Sequence, residues 1–201
     1  AFAAAGAELA PFSPIADERL PENIDGLFLP GGFPETHMAE LAANESMRAA
    51  VRAAIEAGLP AYAECGGLMY LAESIVWGSG TAPMCGVIGG RAVMHDRPRG
   101  RGVIRLQATG HAPFAPAGQG AIIAAHEFHY AALDMAQGQQ ARGDVFAWNI
   151  RRGHGIDGAH DGLVIKSCIA GFAHLRHTEQ SPWVNAFVAF IRHRKRGMKK
   201  P

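Results

Sequence analysis

The residue with the clearest chemical potential is Cys65, which Glu64 precedes and the pair Gly66-Gly67 follows. A short apolar run, 59–64, comes before it, and an amphipathic run begins after it. A strand that turns sharply into a helix lifts the side chain at the turn above the sheet, and small neighbours let the backbone approach closely. The helix start would favour the nucleophilic thiolate, and the Gly66 amide would face an oxyanion. The pattern predicts a nucleophile elbow at Cys65, although the turn alone is equally consistent with a small buried cysteine.

A cysteine nucleophile needs a general base, which is usually histidine. His174 follows directly on the apolar run 168–173, where an open α/β sheet presents functional side chains at its carboxyl edge. His126 and His129 are rival candidates. Their spacing on a predicted strand does not match the i, i+4 helical pair of an HExxH zinc site, so we predict no metal site.

A glycine loop, Pro30-Gly31-Gly32, separates the apolar run 26–30 from a helical pattern that starts at Glu35. The loop lacks the Lys-Ser/Thr of a phosphate-binding loop, and the pattern GxxxxGK[ST] occurs nowhere in the chain. We therefore predict no ATP site in this chain. The loop is consistent with a backbone N–H donor to an oxyanion beside Cys65, and equally with a tight turn that has no chemical role.

Composition limits the class of protein. The chain has 201 residues, 48% of them hydrophobic, and a net charge of +1, which indicates one domain and excludes wholesale disorder. The totals carry no signature of a nucleic-acid or membrane partner. The basic run 192–196 with Lys199-Lys200 is interpreted as a frayed, solvated tail.

Cysteine usage indicates the compartment. Cys65, Cys85 and Cys168 form no CxxC motif and cannot all pair, which favours a reducing, cytoplasmic location. Cys85 and Cys168 lie in apolar runs and are expected to pack in the core. No window of about 18 uncharged apolar residues is present to span a membrane. The first residues lack the features of a signal peptide, and we expect the chain to begin inside a larger protein.

The remaining elements must position Cys65 and His174. Asn44 is predicted to cap the second half of the helical stretch 35–58, which Gly58 closes. A helix is predicted to start at Leu68 and to include Glu73. Another is predicted to start at Ser181 as N-cap and Pro182 as N1. Further strands are predicted over 85–91, 103–109, 121–130, 162–166 and 168–172. This order predicts a parallel sheet covered on both faces, with an antiparallel or mixed extension in the middle of the chain.

Motifs in a fixed order cover nearly the whole chain: 6–14, 25–35, 61–71, 126–130, 155–163 and 173–175. The most specific is Ala-Glu-Cys-Gly-Gly-Leu-Met-Tyr-Leu at 63–71. Together they resemble the cobalamin-pathway branch of the class I glutamine amidotransferases, in particular the glutaminase domain of the cobyrinic acid a,c-diamide synthases. The resemblance implies a flavodoxin-like α/β fold with a central, mostly parallel sheet flanked by helices and a small antiparallel extension.

The resemblance also implies a mechanism. Cys65 would attack the glutamine amide to form a γ-glutamyl thioester, and His174 would move the proton. Gly32 and Gly66 would line the oxyanion hole. The substrate-binding residues would be Glu64, Glu127 and His129. The ammonia would amidate the a- and c-carboxylates of cobyrinic or hydrogenobyrinic acid.

The same resemblance implies that residues 1–201 form one glutaminase domain, truncated before a missing first strand. ATP and Mg²⁺ would bind a synthetase domain that precedes this chain, and the chain itself would need no cofactor. The partners would be glutamine and, through that domain, a corrinoid acceptor. Unpaired strand edges left by the missing strand could drive homodimer formation.

Position 176 and the stretch 97–107 depart from the family pattern, and His154 and His160 add polarity to a glycine-rich loop. Most class I amidotransferases carry a Glu two residues after the catalytic His, whereas this chain has Arg176 there. This branch lacks that Glu, but its usual residue is His. Because Arg cannot accept the imidazole N–H, another group must orient His174. The stretch 97–107 also fits the family poorly, which leaves its substrate contacts open.

Three functions are consistent with the sequence. The first is the glutaminase domain of a corrinoid amide synthase. The second is a glutaminase that serves another acceptor, such as nickel-sirohydrochlorin, cobyric acid or lipid II. The third is a catalytically silent α/β docking module. This hypothesis would be favoured if Cys65 proved unreactive.

Overall fold

The fold is described from a computed structural model of residues 1–116, 118–135 and 145–198. Its strands are β1 (Leu27–Leu29), β2 (Ala61–Glu64), β3 (Ala72–Trp77), β4 (Gly80–Pro83), β5 (Ile88–Met94), β6 (Gly100–Ala108), β7 (Ile122–His129), β8 (Ala131–Met135), β9 (Phe146–Arg152), β10 (His160–Ile165) and β11 (Cys168–Gly171). Its α-helices are α1 (Met38–Ala43), α2 (Glu45–Glu56), α3 (Gly66–Leu71) and α4 (Trp183–Met198).

The main sheet has seven strands in the order β1-β2-β11-β10-β9-β6-β7. Strands β1, β2 and β11 pair in parallel, and the other neighbours pair antiparallel. The backbones of His126 in β7 and His174 after β11 exchange hydrogen bonds of 3.1 and 2.7 Å. These bonds bring the far edge of the sheet back to its middle, so the sheet is curled. Strand β7, at the far edge of the sheet, therefore lies against the carboxyl end of the parallel strands.

A second sheet of four strands, ordered β4-β3-β5-β8, packs beside the first. Its β3 continues directly from α3, so the predicted inclusion of Ala72 and Glu73 in that helix is wrong. The β-branched residues Ile75 and Val76 favour the strand that begins at Ala72.

The structure confirms the predicted α/β fold, and it shows that the antiparallel part is large. The strands around Cys65 and His174 are the parallel ones, as expected. Four neighbouring pairs of the main sheet, from β11 through β7, are antiparallel. The site therefore lies where the parallel and antiparallel parts of the sheet meet.

The predicted start of α2 is confirmed, and that of α4 is shifted. The side chain of Asn44 accepts a hydrogen bond of 3.3 Å from the Met47 amide, and Gly58 follows α2 with φ +89°. By contrast, α4 begins at Trp183, and Ala186 N donates to the oxygen of Pro182. Ser181 does not act as the cap, because its backbone is held in a turn with Thr178 and its buried hydroxyl has no partner among the described residues.

Two hydrophobic clusters form the core. One joins α1, α2, α3 and the second sheet to one face of the parallel strands, and the other joins α4 and the antiparallel strands to their opposite face. Cys85 and Cys168 are buried, as predicted, and burial raises the pKa of each thiol to about 12.

The end of the chain is better ordered than expected. The exposed basic run 192–196 lies within α4, where Arg192 donates to the backbone of Ala5 and Gly6 and Lys195 pairs with Asp25. The prediction of a frayed tail is therefore wrong for these residues, because they anchor the N-terminal segment. Lys199 and Lys200 lie outside the described residues. None of the helices in the described part of the chain is long and apolar enough to cross a membrane.

Candidate active site

Cys65 lies at a strained turn between β2 and α3. Its backbone has φ +48° and ψ −101°, a conformation that non-glycine residues adopt only when the surroundings enforce it. The neighbouring strand holds Cys65 in this conformation, because the Cys65 amide donates a 2.7 Å hydrogen bond to the oxygen of Gly171 in β11. The predicted elbow geometry is therefore present, with the Cys65 residue 8% exposed.

The two glycines after Cys65 are required by close backbone packing. A Cβ added to Gly66 would lie 2.6 Å from the oxygen of Gly32 and 2.8 Å from its nitrogen. A Cβ on Gly67 would lie 2.3 Å from the oxygen of Leu29. The loop after β1 thus rests directly on the elbow. Because Gly66 is the first residue of α3, its N–H has no partner within the helix, and the residue packs directly against the backbone of Gly32.

His174 reaches Cys65 because β11 is the parallel neighbour of β2. The register pairs Gly171 with Glu64, so the residues after β11 emerge beside the elbow. The backbone of His174 is fixed by its two hydrogen bonds to His126. On the other side, a Cβ on Gly31 would lie 2.5 Å from Cε1 of the imidazole. The ring is thus held between the glycine loop and β2.

The electrostatic surroundings of His174 favour its protonated form. The hydrogen bond with Cys65 is the largest cause and the contact with Glu64 the next, and together they raise the pKa of His174 to about 10 against the opposing effect of burial. Phe128 closes the other side of the thiol, with its carbonyl oxygen 4.0 Å from Sγ of Cys65. The described residues thus place a cysteine and a histidine beside each other at a partly open edge of the sheet.

Glu64 lies against His174. Its Oε1 atom is 3.6 Å from Nδ1 of the imidazole, and its Oε2 atom accepts a 3.3 Å hydrogen bond from the Leu175 amide. The side chain is 11% exposed. The sequence predicted a substrate contact for this residue; the structure places its carboxylate on the histidine.

Glu127 and His129 lie on the inward face of β7. The two oxygens of Glu127 accept hydrogen bonds of 2.8 and 2.9 Å from the amides of His154 and Gly155. Burial tends to raise the pKa of Glu127, but His129 and these amides outweigh burial and lower it. The two side chains are 3% and 1% exposed, so they support the wall behind the site and present little surface to a substrate.

His129 is packed tightly into this wall. One ring nitrogen, Nδ1, lies 2.7 Å from the oxygen of Ala131, and the ring stacks on Phe172 at 4.0 Å. His126, three residues earlier, is exposed on the other face of β7. The two histidines therefore cannot share a ligand, and no group of three metal-binding side chains converges among residues 1–116, 118–135 and 145–198.

Asp161 is a site-supporting residue that the sequence did not single out. It is fully buried, and its carboxylate accepts hydrogen bonds of 3.0 and 2.8 Å from the amides of Phe172 and Ala173. These amides lead directly into His174, so Asp161 fixes the backbone that delivers the imidazole. The only available signal was its place in the Asp-Gly-Leu motif at 161–163, which says nothing of this contact.

Comparison with known proteins agrees with this geometry. Residues 1–182 match the family described as the CobB/CobQ-like glutamine amidotransferase domain. The chain is 37% identical over 190 residues to a cobyrinate a,c-diamide synthase of Magnetococcus marinus, with 94% of this chain and 39% of that protein covered. It is 42% identical over 186 residues to one of Halobacterium salinarum, with 92% and 39% covered. The chain thus spans about two fifths of these curated relatives.

Solved structures agree on the fold. A structure described as a glutamine amidotransferase superposes with a TM-score of 0.56 at 18% identity, covering 85% of this chain and 79% of the other. PurLQS from Thermotoga maritima gives a TM-score of 0.60 at 14% identity, covering 90% and 84%. At this identity the likeness supports the fold alone. The match over residues 1–182, taken with the two relatives, shows that this chain belongs to the CobB/CobQ-like glutamine amidotransferase domain family.

Proposed function

We propose that this chain hydrolyses glutamine through a covalent intermediate on Cys65 and delivers the ammonia to an amide-forming synthetase. The observation that carries the proposal is the placement of Cys65, at a strained elbow after β2, beside His174, which follows the parallel neighbour β11. A thiol beside an imidazole is the arrangement that nucleophilic catalysis by cysteine requires.

In the first half of the reaction, Sγ of Cys65 attacks the side-chain amide carbon of glutamine. The carbonyl oxygen becomes an oxyanion, for which the adjacent backbone N–H groups of Gly32 and Gly66 are the proposed donors. His174, holding the proton taken from the thiol, gives it to the amide nitrogen. The C–N bond breaks, ammonia leaves, and a γ-glutamyl thioester remains on Cys65.

In the second half, water attacks the thioester carbon while His174 accepts a proton from that water. The C–S bond breaks, glutamate leaves, and the proton returns to the thiolate. Glu127 and His129 are proposed to shape the substrate pocket indirectly, because Glu127 holds the amides of His154 and Gly155 and both side chains are buried.

For the acceptor, we propose the a- and c-carboxylates of cobyrinic or hydrogenobyrinic acid in cobalamin biosynthesis. The support is that both relatives compared above carry the name cobyrinate a,c-diamide synthase. ATP and Mg²⁺ would activate those carboxylates on a synthetase domain, and no residue of this chain is assigned to them. We propose a cytoplasmic location, because the three cysteines are free and do not form the disulfide framework of a secreted protein. We also propose homodimer formation at β1, the end strand of the main sheet.

The test of the glutaminase proposal is labelling with 6-diazo-5-oxo-L-norleucine, an electrophilic glutamine analogue, followed by intact-mass analysis and peptide mapping. We expect a single adduct at Cys65 that excess glutamine prevents. The Cys65→Ser variant should remain unlabelled, and the Cys85→Ser variant, which changes a buried thiol, should be labelled like the parent chain. A folded parent chain that stays unlabelled, or one labelled at Cys85 or Cys168, would contradict the proposal.

A further inference from the structure

The histidine of this site lacks the usual carboxylate partner from its own segment. Residue 176, two positions after His174, is an arginine and is exposed. A histidine that acts as a base needs a group that fixes its tautomer and the orientation of its ring, and a buried carboxylate on Nδ1 is the common solution.

We propose that Glu64, the residue immediately before the nucleophile, is the positioning residue that orients His174. Its carboxylate faces Nδ1 of the imidazole at 3.6 Å, which leaves the other ring nitrogen for Cys65. The distance is that of an ion pair and exceeds a normal hydrogen bond by roughly half an ångström, and such contacts are often long before substrate binds. This inference rests on the proposed glutaminase function and adds a third member to its catalytic pair.

The carboxylate is held in place by the same strand pairing that builds the site. The parallel register of β2 with β11 sets Glu64 opposite Gly171, and the Leu175 amide then donates to Oε2 at 3.3 Å. The hydroxyl of Tyr62, on the same face of β2, donates to the oxygen of Ala173 at 3.5 Å and so supports the same segment. Glu64 therefore bridges the residue after His174 and the imidazole, which fixes the ring relative to its own backbone.

The other buried acids are already committed elsewhere. Glu127 accepts the amides of His154 and Gly155, and Asp161 accepts those of Phe172 and Ala173. Among the acidic side chains in the described ranges, Glu64 is the one that lies within ion-pair distance of His174. A direct contact of Glu64 with glutamine is disfavoured, because the side chain is largely buried and both oxygens have partners.

The test compares Glu64→Gln with Glu73→Gln, a matched change at an exposed glutamate of β3. For Glu64→Gln we expect kcat for glutamine hydrolysis to fall about 100-fold, with KM changed less than about threefold, since a misoriented base impairs the chemical steps. For Glu73→Gln both constants should stay at the parent values. Glu64→Asp keeps the charge and should recover about a tenth of the lost rate or more.

A second readout separates positioning from a purely structural role. Isotope-labelled His174, followed by NMR against pH, should titrate at lower pH in Glu64→Gln than in the parent chain, because a contact that favours imidazolium is lost. An unshifted titration, or a raised KM with unchanged kcat, would overturn the inference in favour of substrate binding. If Glu64→Gln does not fold, Glu64→Asp is measured instead: its shorter side chain should lower kcat and the titration pH of His174 in the same direction by a smaller amount, and parent values of both would overturn the inference.

The two proposals fail in different ways. Absence of analogue labelling on the parent Cys65 would remove the glutaminase function itself. Normal labelling of the parent together with unchanged kcat in both Glu64 variants would remove only the positioning role of Glu64.

Discussion

Single atoms decide the geometry around Cys65. The thiol stands on a residue with φ +48°, and the strain is maintained because the Cys65 amide is bonded to Gly171 on one side and Gly66 is pressed against Gly32 on the other. A Cβ has no room at Gly66, whereas a Cβ at Gly32 would have no heavy atom within 4 Å. Gly66 and Gly32 are in contact with each other, yet a methyl group fits only at Gly32.

This difference gives a matched pair of substitutions. Gly66→Ala must push the loop at 30–32 away from the elbow, and we expect kcat/KM for glutamine to fall about 100-fold, because a displacement near 1 Å at a reacting centre has an effect of this size. Gly32→Ala keeps its N–H and meets open space, so its kcat/KM should stay within about threefold of the parent value. Steady-state glutaminase kinetics check this, and equal losses in the two variants would contradict the geometry.

Asn44 joins the N-terminal loop to α2 through its side chain. Its Oδ1 atom caps α2 through the Met47 amide, while Nδ2 donates to the oxygens of Pro14 and Asp17 at 2.9 and 2.8 Å. The N-terminal loop is thereby attached to the helix that covers the first hydrophobic cluster. One side chain thus acts both as the N-cap of α2 and as a tether, by which we mean its hydrogen bonds to the N-terminal loop.

Substitutions at Asn44 separate these two effects. Asn44→Ser keeps a cap acceptor and removes the tether, so we expect a loss of about 1 kcal/mol in the free energy of unfolding. Asn44→Ala removes both and should cost about 2 kcal/mol. Urea unfolding followed by circular dichroism measures both values. Parent-like stability of Asn44→Ala would show that neither contact contributes.

The elements that the sequence predicted are those whose signals are local. The strand at 61–64, the turn at Cys65 and the cap at Asn44 depend on neighbouring residues, and each was recognisable from them. The strand β3 was missed because the apolar pattern from Leu68 continues through Ala72 without a break. The partner of His174 could not be found, since it depends on the register of β2 with β11, two strands separated by more than a hundred residues.

Asp161 joins the antiparallel strands of the main sheet to the parallel strand β11. This residue of β10 is fully buried and holds the amides of Phe172 and Ala173 after β11. Burial is the largest effect on the pKa of Asp161 and raises it to about 6, although the amides oppose the rise. The stability of the protein is therefore tied to the charge of one interior carboxyl.

The sign of the pH dependence follows from this raised pKa. The contribution of Asp161 to stability is full below the ordinary pKa of 3.8 and is lost as the pH rises through about 6. Asp161→Asn removes this dependence, and it also costs about 2 kcal/mol because one amide loses its acceptor. We expect urea unfolding to show a larger deficit for Asp161→Asn at pH 4.5 than at pH 7.5. A deficit that grows with pH would contradict the assignment.

The pairing of β2 with β11 also sets the order in which the protein can acquire reactivity during synthesis. The elbow residue is made more than a hundred residues before Gly171, which fixes its amide, and before His174, which lies beside it. Contacts at such separation form late in folding, because the loop between them must close first. A ribosome-bound or partly folded chain that lacks β11 therefore has Cys65 without His174 beside it. The proposed release of ammonia would therefore begin only after β11 has paired with β2.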